Sequence, residues 1–330
     1  MRLTAKNFYL YGMPAESYDS IFEQFPPVSA EIWKEKIIRD LKGDAFDKLI
    51  WHSKEGIDVL PFYSKEDNEK YQLQIPPKSP EGWQITERIV VDDIIEANGK
   101  ALHALNYGAT AIIFNLKRTF LESSEIKSLT NGILKDIAPV YFEDYLQDNK
   151  SVLEHEIPDS CAPVILIPQQ ETIISELVYA LQKGVEGDIN INRFHFYTGQ
   201  NYFFEIARLR AFRWLWKQVC LLKNEPYQLT VLCETAIQSG DGRNEYSNIL
   251  RNTTAAMSAV LGGSDAVIIN SHDVQNGNTD FGKRIARNIH HILQQEAYFA
   301  EIEDAVKGSY YIEYITYMLA QKAWEQFRKS

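Results

Sequence analysis

The chain has 330 residues, 45% of them hydrophobic and 24% charged, which excludes a disordered chain, a collagen-like repeat and a membrane protein. Its 45 acidic residues against 34 basic ones give a formal charge of -11, so a nucleic-acid backbone would meet net repulsion. Cys161, Cys220 and Cys233 show no CxxC spacing, against a disulfide scaffold or zinc site, and the Met-Arg-Leu-Thr start has no leader pattern, so the expected compartment is the cytoplasm.

Residues 1–90 are rich in proline, with Pro26-Pro27, Pro61, Pro76-Pro77 and Pro80, and in aromatics such as Phe8, Tyr9, Tyr11, Phe22 and Phe25. One helix is predicted there, starting at Ser29, a good N-cap, and bringing Ile32, Trp33, Ile37 and Ile38 to one face. Such a segment reads as an extended N-terminal arm that covers a partner surface. From residue 91 to 330 helices and apolar strands alternate. Helices are predicted at Asp92–Asn106, Glu122–Leu134, Thr172–Gln182, Tyr202–Leu222, Glu245–Leu261, Phe281–Phe299 and Tyr310–Phe327. Strands are predicted at Ala111–Leu116, Pro139–Glu143, Pro163–Ile167, Arg193–Tyr197, Gln228–Cys233 and Ala266–Asn270. Short strands without polar alternation are buried on both faces, as in parallel sheets flanked by helices. The fold class is therefore α/β. The expected architecture is a TIM-like (β/α)8 barrel, degraded or incomplete because six strands are visible where eight are needed.

The helix at Tyr202–Leu222 carries Arg208, Arg210 and Arg213, which could meet a phosphate or carboxylate or pair with acids on neighbouring helices. Ser239-Gly240-Asp241-Gly242 follows a strand, but no Walker lysine or complete GxGxxG accompanies it. None of the seven histidines forms an HExxH motif. His195 alternates with Phe194 and Phe196, the pattern of a buried, hydrogen-bonded side chain. His272 and Asp273 follow the last strand on the side where barrel sites assemble, and Glu234 ends the preceding strand. These three are the catalytic candidates, and no residue is assigned to cofactor or metal binding.

Several runs resemble the barrel domain of the methylmalonyl-CoA mutase family. They are Trp51-His52-Ser53-Lys54-Glu55-Gly56-Ile57 through Pro61-Phe62-Tyr63, Phe203-Phe204-Glu205-Ile206-Ala207-Arg208-Leu209-Arg210-Ala211, Arg251-Asn252-Thr253-Thr254 with Leu261-Gly262-Gly263, Thr279-Asp280-Phe281-Gly282-Lys283-Arg284, Gln294-Gln295-Glu296 and Gly308-Ser309-Tyr310-Tyr311-Ile312-Glu313. The family's chemistry-bearing motifs are missing. No histidine has an aspartate two residues earlier, so the Asp-x-His-x-x-Gly corrin ligand has no counterpart. Gly82-Trp83-Gln84-Ile85-Thr86 stands where the active-site tyrosine loop is expected, Thr235-Ala236-Ile237 replaces a His-Ser-Gln pattern, and His272-Asp273-Val274 replaces Leu-Asp-Glu.

This resemblance implies the small (beta) subunit of a heterodimeric mutase, not itself catalytic. It would support the interconversion of methylmalonyl-CoA and succinyl-CoA in propionate metabolism, by a large subunit that binds adenosylcobalamin. The alternatives are a homodimeric barrel that binds acyl-CoA or regulates the mutase, and an independent barrel lyase using His272, Asp273 and Glu234.

Overall fold

The computed structural model describes residues 28–71, 73–78, 82–144, 152–153, 164–186, 192–237 and 245–329. The chain divides into two units, residues 1–51 and 52–330. In the first, helix α1 (Ala30–Asp40) is capped by Ser29, whose hydroxyl accepts from the Ile32 amide at 3.4 Å, and none of its residues is buried. The aromatics expected in the arm from Phe8 to Phe25 lie outside the described residues.

The second unit is built on one parallel sheet. Its strands are β1 (Gln84–Val90), β2 (Ala111–Asn115), β3 (Val140–Glu143), β4 (Ile165–Leu166), β5 (Arg193–Thr198), β6 (Thr230–Thr235) and β7 (Ala266–Ile268). Their spatial order is β3-β2-β1-β7-β6-β5-β4. The two edges, β3 and β4, are consecutive in sequence, and the Val164 amide donates to the Phe142 carbonyl across them at 2.9 Å. The sheet is a nearly closed seven-stranded barrel. The expected class stands, with one more strand than the six read from the sequence. That strand is β1, which the sequence reading leaves in the proline-rich segment because Thr86, Glu87 and Arg88 interrupt its apolar run.

Strand residues alternate between two faces, as a period of two requires. Ala111, Ile113, Tyr141, Leu232, Ala266 and Ile268 pack inside the barrel. Ile112, Phe114, Val140 and Phe142 face outward toward α3 (Ile94–Asn106) and α4 (Ser123–Leu129). Phe194, Phe196, Val231, Cys233 and Val267 join a larger outer core. Its other side is formed by α5 (Ile173–Glu186), α6 (Tyr202–Lys223), α7 (Ser247–Gly262), α8 (Asp280–His291) and α9 (Tyr310–Phe327). Ahead of these comes a short helix, α2 (Lys65–Tyr71), whose Tyr71 ring meets Tyr314 and Tyr317 of α9 at 5.0 and 5.3 Å. Among the described residues no helix is long and apolar enough to cross a membrane.

The sequence segment after Trp51 serves this scaffold. Glu55 accepts from the Ile173 and Ile174 amides at 3.0 and 3.2 Å, so its carboxylate caps the N-terminus of α5, where backbone donors and the helix dipole favour negative charge. Gly56 takes a φ of +63°, the left-handed region that favours glycine, in the turn that aims Glu55. Ser53 closes that turn, donating to the Ile57 carbonyl at 2.9 Å and accepting from its amide at 3.1 Å.

Close packing of α5 on α6 rests on Gly184. A methyl group there would stand 2.4 Å from Trp216 Cζ3 and 2.9 Å from Phe194 Cζ. Trp216 is fixed by donating to the Gln228 carbonyl at 2.9 Å, so the ring has little freedom to retreat. Gly184→Ala is therefore expected to destabilise the barrel by about 1–3 kcal/mol despite alanine's higher helix propensity. Urea unfolding of the two proteins measures this, and equal or greater stability of the variant would contradict the packing argument.

Candidate functional site

The upper interior of the barrel, toward the C-terminal ends of the strands, is polar. Arg88 of β1, Asn115 of β2, Glu143 of β3, His195 of β5 and Glu234 of β6 all project inward, because each shares parity with an interior apolar residue of its own strand or register partner. His195 Nδ1 lies 2.9 Å from Glu143 Oε2, and its Nε2 lies 3.3 Å from Glu234 Oε2. Arg88 Nε donates to Glu143 Oε1, and Glu234 Oε2 is 3.8 Å from the same nitrogen. Asn115 Nδ2 donates to Glu143 Oε1 at 2.8 Å, and Asn270 Nδ2 to Glu234 Oε1 at 2.9 Å. Below this layer, the Tyr141 hydroxyl donates to Gln84 Oε1 at 2.6 Å.

Glu143 and His195 are fully buried and Glu234 nearly so. Burial alone would neutralise these groups. It opposes the His195 imidazolium, but hydrogen bonding and charge from Glu143 and Glu234 outweigh it and raise the pKa from 6.5 to about 9. Burial likewise opposes the Glu143 carboxylate, yet His195, Arg88 and Asn115 together lower its pKa from 4.5 to about 2. At neutral pH the cluster holds two cations and two anions. It is electrically balanced: each ring nitrogen of His195 faces a carboxylate, and Glu143 also receives Arg88 and Asn115. Arg88 stands at the edge of the cluster, its side chain about a quarter exposed. Among the described residues no group of three His, Cys, Asp or Glu side chains is arranged to hold a metal ion.

The three catalytic candidates do not converge. Glu234 belongs to the cluster. Asp273 Oδ2 accepts from the Thr279 amide at 3.2 Å and from the Thr279 hydroxyl, and Thr279 in turn caps α8 by accepting from Gly282 at 3.1 Å. Burial disfavours the Asp273 carboxylate, but these hydrogen bonds hold its pKa below the usual value. Gly282 makes room for it, since a Cβ there would stand 2.1 Å from Asp273 Oδ1. His272 is buried, its ring stacked on Tyr246 at 5.2 Å and edge-on to Phe281 at 6.1 Å. No hydrogen bond or ion pair among the described residues joins His272 or Asp273 to Glu234.

The arginines of α6 are likewise engaged. Arg208 pairs with Glu176 and, at 2.5 Å, with Glu205, and donates to the Tyr197 carbonyl at 2.8 Å. Arg210 pairs with Asp304 and, at 2.8 Å, with Glu313. Arg213 pairs with Asp265 at 2.6 Å and donates to the Pro77 carbonyl at 3.2 Å. These are bridges between elements. The glycine-rich run Ser239-Gly240-Asp241-Gly242 lies outside the described residues. Arg88, Asn115, Glu143 and Asn270 were not singled out by the sequence reading. The signal that marks three of them is a polar residue ending an apolar strand: Ile-Ile-Phe-Asn115, Val-Tyr-Phe-Glu143 and Val-Ile-Ile-Asn270.

A family model described as methylmalonyl-CoA mutase matches residues 176–329. The methylmalonyl-CoA mutase small subunit of Porphyromonas gingivalis is 30% identical over 95% of this chain and 64% of its own length. That of Streptomyces virginiae is 36% identical over 94% of this chain and 64% of its own length. A methylmalonyl-CoA mutase of Rhizobium meliloti is 41% identical over 44% of this chain and 21% of its own. The chain thus spans just under two thirds of these two small subunits. The P. gingivalis alignment runs over 397 residues, more than this chain's 330, so that relative carries residues within the aligned span which are missing here.

The balance of the cluster makes stability depend on pH. His195 has a raised pKa, so its contribution is complete below about pH 6.5 and is lost as pH rises through about 9; Glu143 has a lowered pKa, so its contribution is complete above about 4.5 and is lost as pH falls toward 2. Between pH 6 and pH 9.5 the protein should lose on the order of 3 kcal/mol. His195→Leu leaves one buried carboxylate without a cation, and should cost about 3–5 kcal/mol at pH 6 while removing most of the alkaline loss. Urea midpoints at the two pH values check both, and an unchanged pH dependence in the variant would refute the assignment.

Proposed function

The chain belongs to the methylmalonyl-CoA mutase family, and from that premise we propose that it is the non-catalytic small subunit of a cobalamin-dependent mutase. Its role is to support a large subunit that binds adenosylcobalamin and interconverts methylmalonyl-CoA and succinyl-CoA, in the cytoplasm. The observation that carries this reading is the ion cluster on the barrel axis. A radical rearrangement needs a dry, walled cavity that admits substrate and cofactor and excludes water. In this chain the same volume holds Arg88, Glu143, His195 and Glu234, paired among themselves. Opening a substrate path would separate buried charges from their partners, at several kcal/mol for each.

Neither His195 nor His272, the two histidines toward the C-terminal ends of the strands, is placed to serve as an axial corrin ligand. His195 is enclosed between two glutamates, and His272 is buried in the aromatic pair of Tyr246 and Phe281. The names of the small-subunit relatives support a partner of the same family. Co-expression with a large subunit of a methylmalonyl-CoA mutase tests the proposal. The two chains are expected to co-purify, with corrin absorbance and isomerase activity found only when the large chain is present. Corrin retained by this chain alone after gel filtration, or isomerisation by it alone, would overturn the proposal, as would failure of the two chains to associate.

A further inference from the structure

The segment that leads into β1 is fastened near the N-terminal ends of the strands. Arg213 of α6 donates to the Pro77 carbonyl at 3.2 Å, and Lys78 donates to the Phe299 carbonyl at 3.3 Å. Between this segment, α6, the end of α7 and the stretch before α9 lies a cavity of about 340 Å³. That volume falls in the range of small-ligand sites. Leu73, Ile75, Pro76, Leu261 and Ile302 give it an apolar lining, and Lys78 and Lys307 bring two amines to it.

Lys78 is half-buried, and among the described residues its ammonium makes one hydrogen bond, to a neutral carbonyl. The two carboxylates whose charge reaches it, Asp304 and Asp265, are held by Arg210 and Arg213. Among the described residues no carboxylate stands within ion-pair distance of Lys78. The Arg213 guanidinium adds a like charge from α6. Desolvation, with this cation, holds the amine below the ordinary lysine pKa against the pull of the two acids.

A solvated lysine is a poor nucleophile at neutral pH because its lone pair carries a proton. Withdrawal from water and a neighbouring cation are two ways in which proteins free that lone pair. Lys78 has both. A lower pKa enlarges the neutral fraction more than it weakens the nucleophile, as thiols show. Lys307 lines the same cavity but is exposed, so its ammonium stays hydrated.

We propose that Lys78 is a nucleophilic lysine that takes up small acyl groups from thioesters, the cavity beside it receiving the acyl chain. The neutral Nζ attacks the thioester carbonyl carbon. A C–N bond forms and the C–S bond breaks; the sulfur leaves as a thiolate, and the nitrogen gives one proton to water. The product is an amide, and no oxidant, metal or nucleotide is consumed. Acylation removes a charge that stands half out of water, while the amide N–H keeps a donor for the Phe299 carbonyl. The inference does not depend on the chain being a mutase subunit, because it uses only Lys78 and its cavity.

The test uses the full chain and S-acetyl-N-acetylcysteamine, a small uncharged thioester, with acetylation followed lysine by lysine by peptide mass spectrometry at about pH 7.5. Lys78 should be acetylated at least about threefold faster than Lys307, and than Lys36, which is exposed and paired with Asp40. In the urea-unfolded chain the three rates should converge. The rate at Lys78 should also level off at a lower pH in the folded protein than in the unfolded chain. No acetylation of Lys78, a rate no greater than those of Lys307 and Lys36, or an advantage that survives unfolding would overturn the proposal. Equal acceleration of Lys78 and Lys307 over Lys36 would also overturn it, and would make the cavity a place that gathers the thioester without activating an amine.

Discussion

Burying ionised groups on a barrel axis is tolerable only if they balance, and that constraint organises this molecule. Isolated carboxylates in such a place would take up protons, and an isolated imidazolium would lose one. The four groups Arg88, Glu143, His195 and Glu234 instead stabilise one another's charged forms. Each comes from a different strand, so the cluster ties β1, β3, β5 and β6 together at the end of the barrel where an active site would open. The effect reaches β7 through Asn270, which is held by Glu234 and Thr235. One polar network thus joins four strands on the axis and holds the chain after β7 beside β6.

Outside the sheet, the runs that resemble the mutase family act as scaffold. Arg208, Arg210 and Arg213 bridge α6 to acids on α5, the segment before α9, α9 itself and the loop ahead of β7. Gly262 lets α7 approach Leu209, since a Cβ there would stand 2.9 Å from Leu209 Cδ1. Thr279 and Gly282 build the capped entry to α8 around Asp273. Glu55 caps α5. In each case a named group satisfies helix ends or joins two elements, and Arg210, Arg213 and Gly262 also line one cavity with Lys78 and Asp304. These runs pack the layers, and the ion cluster lies apart from them on the axis.

Much of the fold was legible. Apolar runs such as Ala111–Phe114 and Val231–Cys233 are buried on both faces, and their alternation with amphipathic helices predicts a helix-covered parallel sheet. Strand β1 was not legible, because its inward side is Gln84, Thr86 and Arg88, and that polarity makes sense only once Glu143 and Tyr141 are opposite. Among the described residues the near-closure at β3 and β4 rests on one backbone bond beside a two-residue strand, which leaves almost no pattern to read. For the site, Glu234 was read as a strand-end carboxylate, and it does stand at a strand end inside the barrel. Its partners come from β1, β3 and β5, and long-range pairing of this kind has no local signature. His272 and Asp273 had the right position in the chain, but the stacking of Tyr246 and the cap at Thr279 engage them locally.

The central claim is that His195 is an imidazolium held between two carboxylates in the dry interior. Nitrogen-15 NMR of the imidazole ring, recorded from pH 5 to pH 10, measures this directly. The account predicts that both ring nitrogens of His195 stay protonated through neutral pH and titrate near pH 9. A neutral tautomer of His195 at pH 7 in the folded protein would contradict it.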